Sequence, residues 1–416
     1  MRRVMLWVLG VWALTAPPLA AQLLPIPPAP RDYFEEANPF IPRTPIHAVI
    51  EPPEGYSADA FPFWARCEYT LGRVREAPLP IPLVTTGSTK DKSPGAIGQP
   101  STVVLLGNAG VGYKVISGLR FEFGGWLDSQ KILGLEPSGF VQETRVNHFS
   151  AASDKTGTPL IALPFVNQTP GTGVESGQLI SNPAKLTGNV MVSSTMQRWG
   201  TEVNGVFCFY RRPGLEFRLL SGMRYEDLRE NLHLSARLAN LVTNTNTTLD
   251  DHFNTRNQFF GAQIGASMHW QRNMLSLDVS TKVALGDTHQ VVEIQGASGQ
   301  SGEKASPAGS FPGGFFAQPS NLGRTAANPF VAIPSIEFKL GYQITPRLRA
   351  FLGYDFLYWN EVVRPGNQID RNVNLTQSPI LGTTKGVLSG SAVPAPFFNR
   401  SGVWAQDVNF GLELRF

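Results

Sequence analysis

The chain has 416 residues, with 35 Lys and Arg against 32 Asp and Glu, a formal charge of +3 and only 16% charged residues. That length allows one large domain or two small ones, and the near-neutral balance gives no sign of nucleic-acid binding. The 41 Gly and 33 Pro favour turns and short strands over long helices, and after the first twenty or so residues no run is long and apolar enough for a membrane helix.

The N-terminus carries Arg2 and Arg3, an apolar run from Val4 to Ala16, and a small-residue region ending at Ala20-Ala21. This is the pattern of a secretory signal peptide over residues 1–21, cut after Ala21 or Ala20. Its removal takes away Arg2 and Arg3 and no acid, so the formal charge falls from +3 to +1. Residues 22–61 are Pro-rich and without periodicity, which reads as an extended periplasmic segment.

From residue 62 the chain alternates with period two. Ten strands are expected near 62–73, 113–127, 137–152, 188–210, 214–231, 252–271, 274–297, 329–344, 347–363 and 402–416. Twelve is the alternative, should 188–231 or 232–271 hide another hairpin. Connections near 128–136, 211–213, 272–273 and 345–346 are short, with turn residues such as Pro213-Gly214. Those near 74–112, 153–187, 232–251, 298–328 and 364–401 are long and rich in Gly, Pro, Ser, Thr and Asn. Short turns at one end and long loops at the other are the arrangement of an antiparallel up-and-down β-barrel crossing the bacterial outer membrane, residues 62–416. An even strand number leaves both termini on the periplasmic side.

The strands have two chemically distinct faces. In 214–231, Leu215, Phe217, Leu219, Met223 and Tyr225 oppose Glu216, Arg218, Arg224 and Glu226. The last strand sets Trp404, Val408, Phe410, Leu412, Leu414 and Phe416 against Asp407, Asn409, Glu413 and Arg415. Twelve steps from Trp404 to Phe416 span roughly 40 Å, or roughly 30 Å when tilted, close to the height of an apolar band with its aromatic girdles. In a membrane barrel the apolar face meets lipid and the polar face lines the lumen. The expected lumen network is Arg66, Glu68, Arg120, Glu122, Glu143, Arg145, Glu216, Arg218, Asp278, Lys282, Glu337, Lys339, Arg349, Asp355, Glu413 and Arg415. Ten strands make a narrow barrel, and charges at that density must pair, because an unpaired buried charge costs several kcal/mol. The lumen is therefore expected to be filled by side chains. Cys67 and Cys208 fall on opposite faces of non-adjacent strands, so no disulfide is expected.

Chemistry-bearing motifs are few. Asp287-Thr288-His289 and Asp250-Asp251-His252 could pair a His with a carboxylate for hydrolysis, and are read first as polar rim residues. There is no G-x-S-x-G, H-E-x-x-H, C-x-x-C or phosphate-binding loop, so no enzyme, metal or cofactor is expected.

Several runs are more specific than periodicity. PFWARCEYTLGRVREAPLPIPLVTTGS (62–88), VSSTMQRWGTEVN (192–204), FNTRNQFFGAQIGA (253–266), KVALGDTHQVVEIQGA (282–297), LGYDFLYWNEVVRPGNQIDRNVN (352–374) and WAQDVNFGLELRF (404–416) together resemble the planctomycete putative beta-barrel porin family, family seven of that name. The resemblance covers essentially everything from residue 62 onward. It implies an outer-membrane barrel in a planctomycete-like bacterium. It also implies that the closing alternation Phe410, Leu412, Leu414 and Phe416 is a signal read by barrel-assembly machinery. It transfers no functional residue and no disulfide. The expected role is a porin-like or structural protein of the outer membrane, with lipid and small solutes as candidate partners. A surface adhesion protein working through its long loops is the alternative, and an outer-membrane hydrolase the second.

Overall fold

The structure is a computed structural model that describes residues 62–416. The signal peptide and the Pro-rich segment expected over 1–61 lie outside those residues. No α-helix occurs among the described residues. Ten antiparallel strands form a closed ring: β1 Phe63–Val74, β2 Ile116–Trp126, β3 Leu133–Gln142 (continued after a break by Arg145–Ala152), β4 Leu186–Arg212, β5 Leu215–Asn240, β6 Thr245–Arg272, β7 Leu275–Gly302, β8 Phe330–Gln343, β9 Leu348–Val363 and β10 Arg400–Arg415. Each strand pairs with its neighbours in sequence, and β10 pairs with β1 to close the ring. The ends are tied by Phe416 N–H donating to Phe63 C=O at 3.0 Å, with the reverse bond at 3.1 Å. Closure leaves no unpaired sheet edge, which is what permits so long an antiparallel sheet with an apolar outer face.

The expected ten-strand count holds, but two expectations change. The connection near 232–251 is not a long loop: β5 and β6 run on to a four-residue turn over 241–244, where Asn244 takes φ 54°. Leu232, Leu234 and Ala236 keep the buried face of β5 going, and only the Asn/Thr-rich composition around the turn made it look irregular. The remaining long loops are also not irregular throughout. Parts of three of them, Pro82–Thr86 with Val103–Gly107, Ile161–Asn167 with Val174–Ser181, and Asn372–Val373, form one small sheet.

That sheet caps the loop end of the ring. Its Leu83, Val84, Ile161 and Phe165 pack with Leu232, Leu234, Phe253 and Ile294 from the elongated β5, β6 and β7, in one apolar cluster. Phe315 and Phe316 of the loop after β7 enter the same cluster. Their backbone N–H groups are held by one side chain, Asp251 of β6, which is fully buried. Its Oδ1 accepts from the backbone N–H of Phe315 at 2.8 Å and Ala317 at 3.0 Å, and its Oδ2 from Phe316 at 3.0 Å. A Cβ at Gly314 would lie 2.1 Å from Asp251 Oδ1, so the approach requires glycine. Replacing Asp251 with Ala leaves three buried donors without acceptors, at a cost of about 3 kcal/mol or more. The expected result for Asp251→Ala is rapid protease cleavage within 309–323 while the ring keeps its folded, heat-modifiable mobility in a gel.

Candidate functional site

The polar faces of the ten strands converge inside the ring, and fourteen of the sixteen residues expected there are present. At the turn end, Glu413 is 1% exposed and accepts from Arg66 Nε at 2.6 Å, Arg415 Nε at 2.7 Å and Arg349 Nη2 at 3.0 Å. Arg349 Nη1 reaches Asp278 at 2.7 Å, and Asp278 holds His269 Nδ1 at 2.5 Å. Arg66 also pairs with Glu122, and Glu216 holds Arg218 at 2.5 Å and Arg211 at 2.9 Å. Further in, Lys339 pairs with Glu68 at 2.7 Å and with Glu337. Arg120 meets Asp355 at 2.5 Å, with Glu337 at 3.6 Å and Glu68 at 3.7 Å. Lys282 pairs with Glu202.

The exceptions are Glu143 and Arg145. They pair with each other at 2.7 Å, but their side chains are 39% and 38% exposed. Glu143 accepts from Ser117 N–H, and Arg145 donates to the Val115 carbonyl. The cause is the break after Gln142: residues 143–144 interrupt the ladder and shift the alternation, so Gln142 points inward and Glu143 does not. The interior charge of β3 is Glu136, which lines a cavity with Arg66 and Lys282. Sequence reasoning also missed Arg198, Glu202 and His269. Their signal was present: Arg198 and Glu202 alternate with the outward Trp199, Val203 and Phe207 on β4. Arg198 meets Glu226 at 3.3 Å and Asp407 at 4.0 Å, and Arg224 meets Glu226 at 3.1 Å.

Every large cation in this network thus has a carboxylate within reach, and the space left between them is small. Two interior cavities are about 60 Å³ each, and the turn-end mouth is about 190 Å³. The inner two have room for a few waters only.

Toward the loop end the same inward face changes chemistry. Nine of the ten strands contribute to one buried apolar layer, with Val74, Ile116, Met196, Leu228, Phe259, Ala284, Ile333, Trp359 and Val403 among its members. Above it lies an isolated ion pair. Glu230 and Arg364 have 0% exposed side chains and bond twice, at 2.6 and 2.7 Å. Arg364 Nη1 also donates to the carbonyls of Arg75 and Glu76. Tyr113 donates to Glu230 at 3.3 Å. Burial and the Glu230 carboxylate push the Tyr113 phenol well up, keeping it a neutral donor. Then comes the core of the cap.

The outer wall carries the complementary surface. Phe410, Leu412, Leu414 and Phe416 all face outward and are about half exposed, and Phe416 stacks on Phe63 with ring centroids 6.2 Å apart. Cys67 is exposed on this wall while Cys208 is buried inside, and both are free thiols, as their faces predicted. Of the possible hydrolytic groups, His252 stacks on the ring of His233 with centroids 3.9 Å apart. Asp251 points inward to the backbone of 315–317, Asp250 meets His233 at 3.3 Å, and His289 meets Asn328 at 2.7 Å.

The interior network yields a sharp contrast. Removing the Glu413 carboxylate leaves Arg66 with Glu122 and Arg349 with Asp278, one acid short in a buried cluster of cations, which costs about 3 kcal/mol. Arg415 is 29% exposed at the mouth, and its removal costs about 1 kcal/mol or less. Urea unfolding followed by tryptophan fluorescence should rank Glu413→Ala far below Arg415→Ala and the parent protein.

Comparison with solved structures returns outer-membrane proteins at very low identity. The outer membrane protease OmpT of Escherichia coli is 7% identical, with 86% of this chain and 98% of that chain covered and a TM-score of 0.41. A FadL homologue of Pseudomonas aeruginosa is 9% identical, covering 85% and 90%, with a TM-score of 0.23. The toluene transporter TodX of P. putida is 9% identical, covering 85% and 90%, with a TM-score of 0.17. No curated protein matches the chain. The family comparison is decisive, because its match runs over residues 64–416, from β1 to the closing Phe416: the chain belongs to the family described as Putative beta barrel porin-7 (BBP7).

Proposed function

We propose that this protein is a closed outer-membrane β-barrel whose lumen does not conduct, and whose function resides in the folded cap it holds at the cell surface. The family supports the outer-membrane setting. The observation that carries the closed state is the succession of barriers along one interior: the paired charges around Glu413 and Lys339, the apolar layer from nine strands, and the cap core. A hydrated solute would have to break ion pairs and then cross a layer with no polar partner to offer it. Both steps cost several kcal/mol.

The cap supports the surface reading. Loops that served only to seal a pore could be short. Here three of them share a sheet and a core with the elongated strands, making a fixed platform beyond the apolar band. Display on such a platform suits interaction with a partner at the cell surface. In the same proposal, residues 1–21 direct export and the strand ending at Phe416 is recognised during assembly.

Planar-bilayer recording tests this directly. The purified protein should insert and give no stable single-channel steps at any holding voltage. Reproducible steps of fixed size would overturn the closed lumen.

A further inference from the structure

The outer wall of β4 to β7 is apolar only over part of its length. On β5 the outward residues run Phe217, Leu219, Met223 and Tyr225, then Asp227, Arg229 and Asn231. On β6 they run Trp270, Ile264 and Phe260, then Gln258, Arg256 and Asn254. Phe260 is 61% exposed and pairs in register with Tyr225, whose ring lies 5.0 Å from that of Trp199 on β4. These aromatics mark the upper edge of the apolar band.

Four residues beyond that edge, roughly 13 Å along the strand, Arg229 stands directly opposite Arg256 in the β5–β6 register. Like charges placed so are unfavourable. A single carboxylate holds them: Asp227, buried although it lies on the outer face, accepts from Arg256 Nη2 at 2.5 Å and from Arg229 Nε at 3.3 Å. One carboxylate cannot neutralise two guanidiniums. Arg324, from the short strand Gly323–Ala327 paired to β7, joins them. The three arginines line an outward-opening cleft of about 630 Å³ with Asn231 and Asn254. Glu293 is the acid in this lining, so with Asp227 counted the cleft keeps a net positive charge.

We infer that this cleft binds the phosphate of a lipid headgroup in the outer leaflet. The inference rests on the outer-membrane placement proposed above. Its position, just beyond the aromatic edge and facing away from the ring, is where headgroups of lipids packed against the wall lie. Guanidinium groups offer paired donors that match phosphate oxygens, and Asp227 fixes their orientation in advance. The two asparagines add neutral donors for the rest of a polar headgroup. The mechanical consequence is an anchored height: a phosphate held here fixes how far the cap stands above the membrane.

The test compares the parent protein, an Arg229→Gln/Arg256→Gln double variant, and an Arg272→Gln control whose substitution lies at the turn end. Each is reconstituted in phosphatidylcholine vesicles doped with lipid A, extracted in mild detergent, and weighed by native mass spectrometry. The parent and the control should retain lipid A over phosphatidylcholine. The double variant should retain roughly tenfold less, with its heat-modifiable mobility unchanged. Should the double variant lose that mobility, Arg324→Gln, which lies outside the ring, is read by the same measure and should also lose retention. Equal retention in parent and variant, equal retention of dephosphorylated lipid A, or displacement of lipid A by inorganic phosphate would each overturn the headgroup site. Failure of the parent to insert in the vesicles would instead sink the membrane placement itself, while insertion without lipid A retention overturns only the site.

Discussion

A ring of ten strands leaves an interior only a few side chains wide, and every second residue of each strand has to point into it. That constraint governs the rest of the structure. Whatever chemistry occupies those positions must be self-sufficient, because little water can reach it. Charged residues survive there only as pairs, and the shared carboxylates show how closely they are packed. Glu413 serves three arginines, and Lys339 and Arg120 both draw on Glu68 and Glu337. Such a network is weak as a source of stability but unforgiving of a missing partner. Its members come from β1, β2 and β4 to β10, so it ties together strands that are far apart in sequence.

The same interior is apolar further along, and the change is abrupt. On β5 the inward residues pass from Arg224 and Glu226 to Leu228, then Glu230, then Leu232 and Leu234. One strand thus contributes to the charged lumen, the apolar layer, the buried ion pair and the cap core within a dozen residues. The Glu230–Arg364 pair is the costly element in this series, since both groups leave water entirely. It earns a structural reason from its other bonds: Arg364 also ties the carbonyls of Arg75 and Glu76, so a single guanidinium joins β5 to the segments that follow β1 and β9.

How much of this was legible depended on what each residue had to satisfy. Outward positions answer to one requirement, an apolar contact, and alternation alone placed Phe410, Leu412, Leu414 and Phe416 correctly. Most inward charges were equally legible where a strand was regular, from Arg66 to Arg415, although Arg198 and Glu202 on β4 and His269 on β6 went unread. The reading failed at Glu143 and Arg145 because an interruption after Gln142 reverses the faces, and nothing in local composition announces it. It also failed at 232–251, where Asn and Thr around the turn masked the alternation of Leu232, Leu234 and Ala236. The cap was illegible for a different reason. Its sheet pairs Ile161–Asn167 with Pro82–Thr86 and with Asn372–Val373, and no local pattern encodes contacts between segments so distant in the chain. Asp251 looked like part of an Asp-His motif, yet its partners are backbone groups more than sixty residues away.

The closed interior proposed above places the working surface on the outside of the ring. A barrel that conducts keeps its working residues in the lumen, with polar groups left open to a passing solute. Here the lumen groups are committed to one another, and the inner cavities hold a few waters at most. Polar groups with capacity to spare are found instead on the outer wall above the aromatic edge, where Arg229 and Arg256 share one carboxylate. The strands that carry them, β4 to β7, are also the longest, at 26 to 28 residues, and they support the cap core from beneath. A strand needs only about 9–11 residues to cross a bilayer, so more than half of that length lies beyond it. In the function proposed above, that extra length raises a platform and gives it a wall, so that the ring acts as a sealed post and the chemistry offered to other molecules lies on its outside.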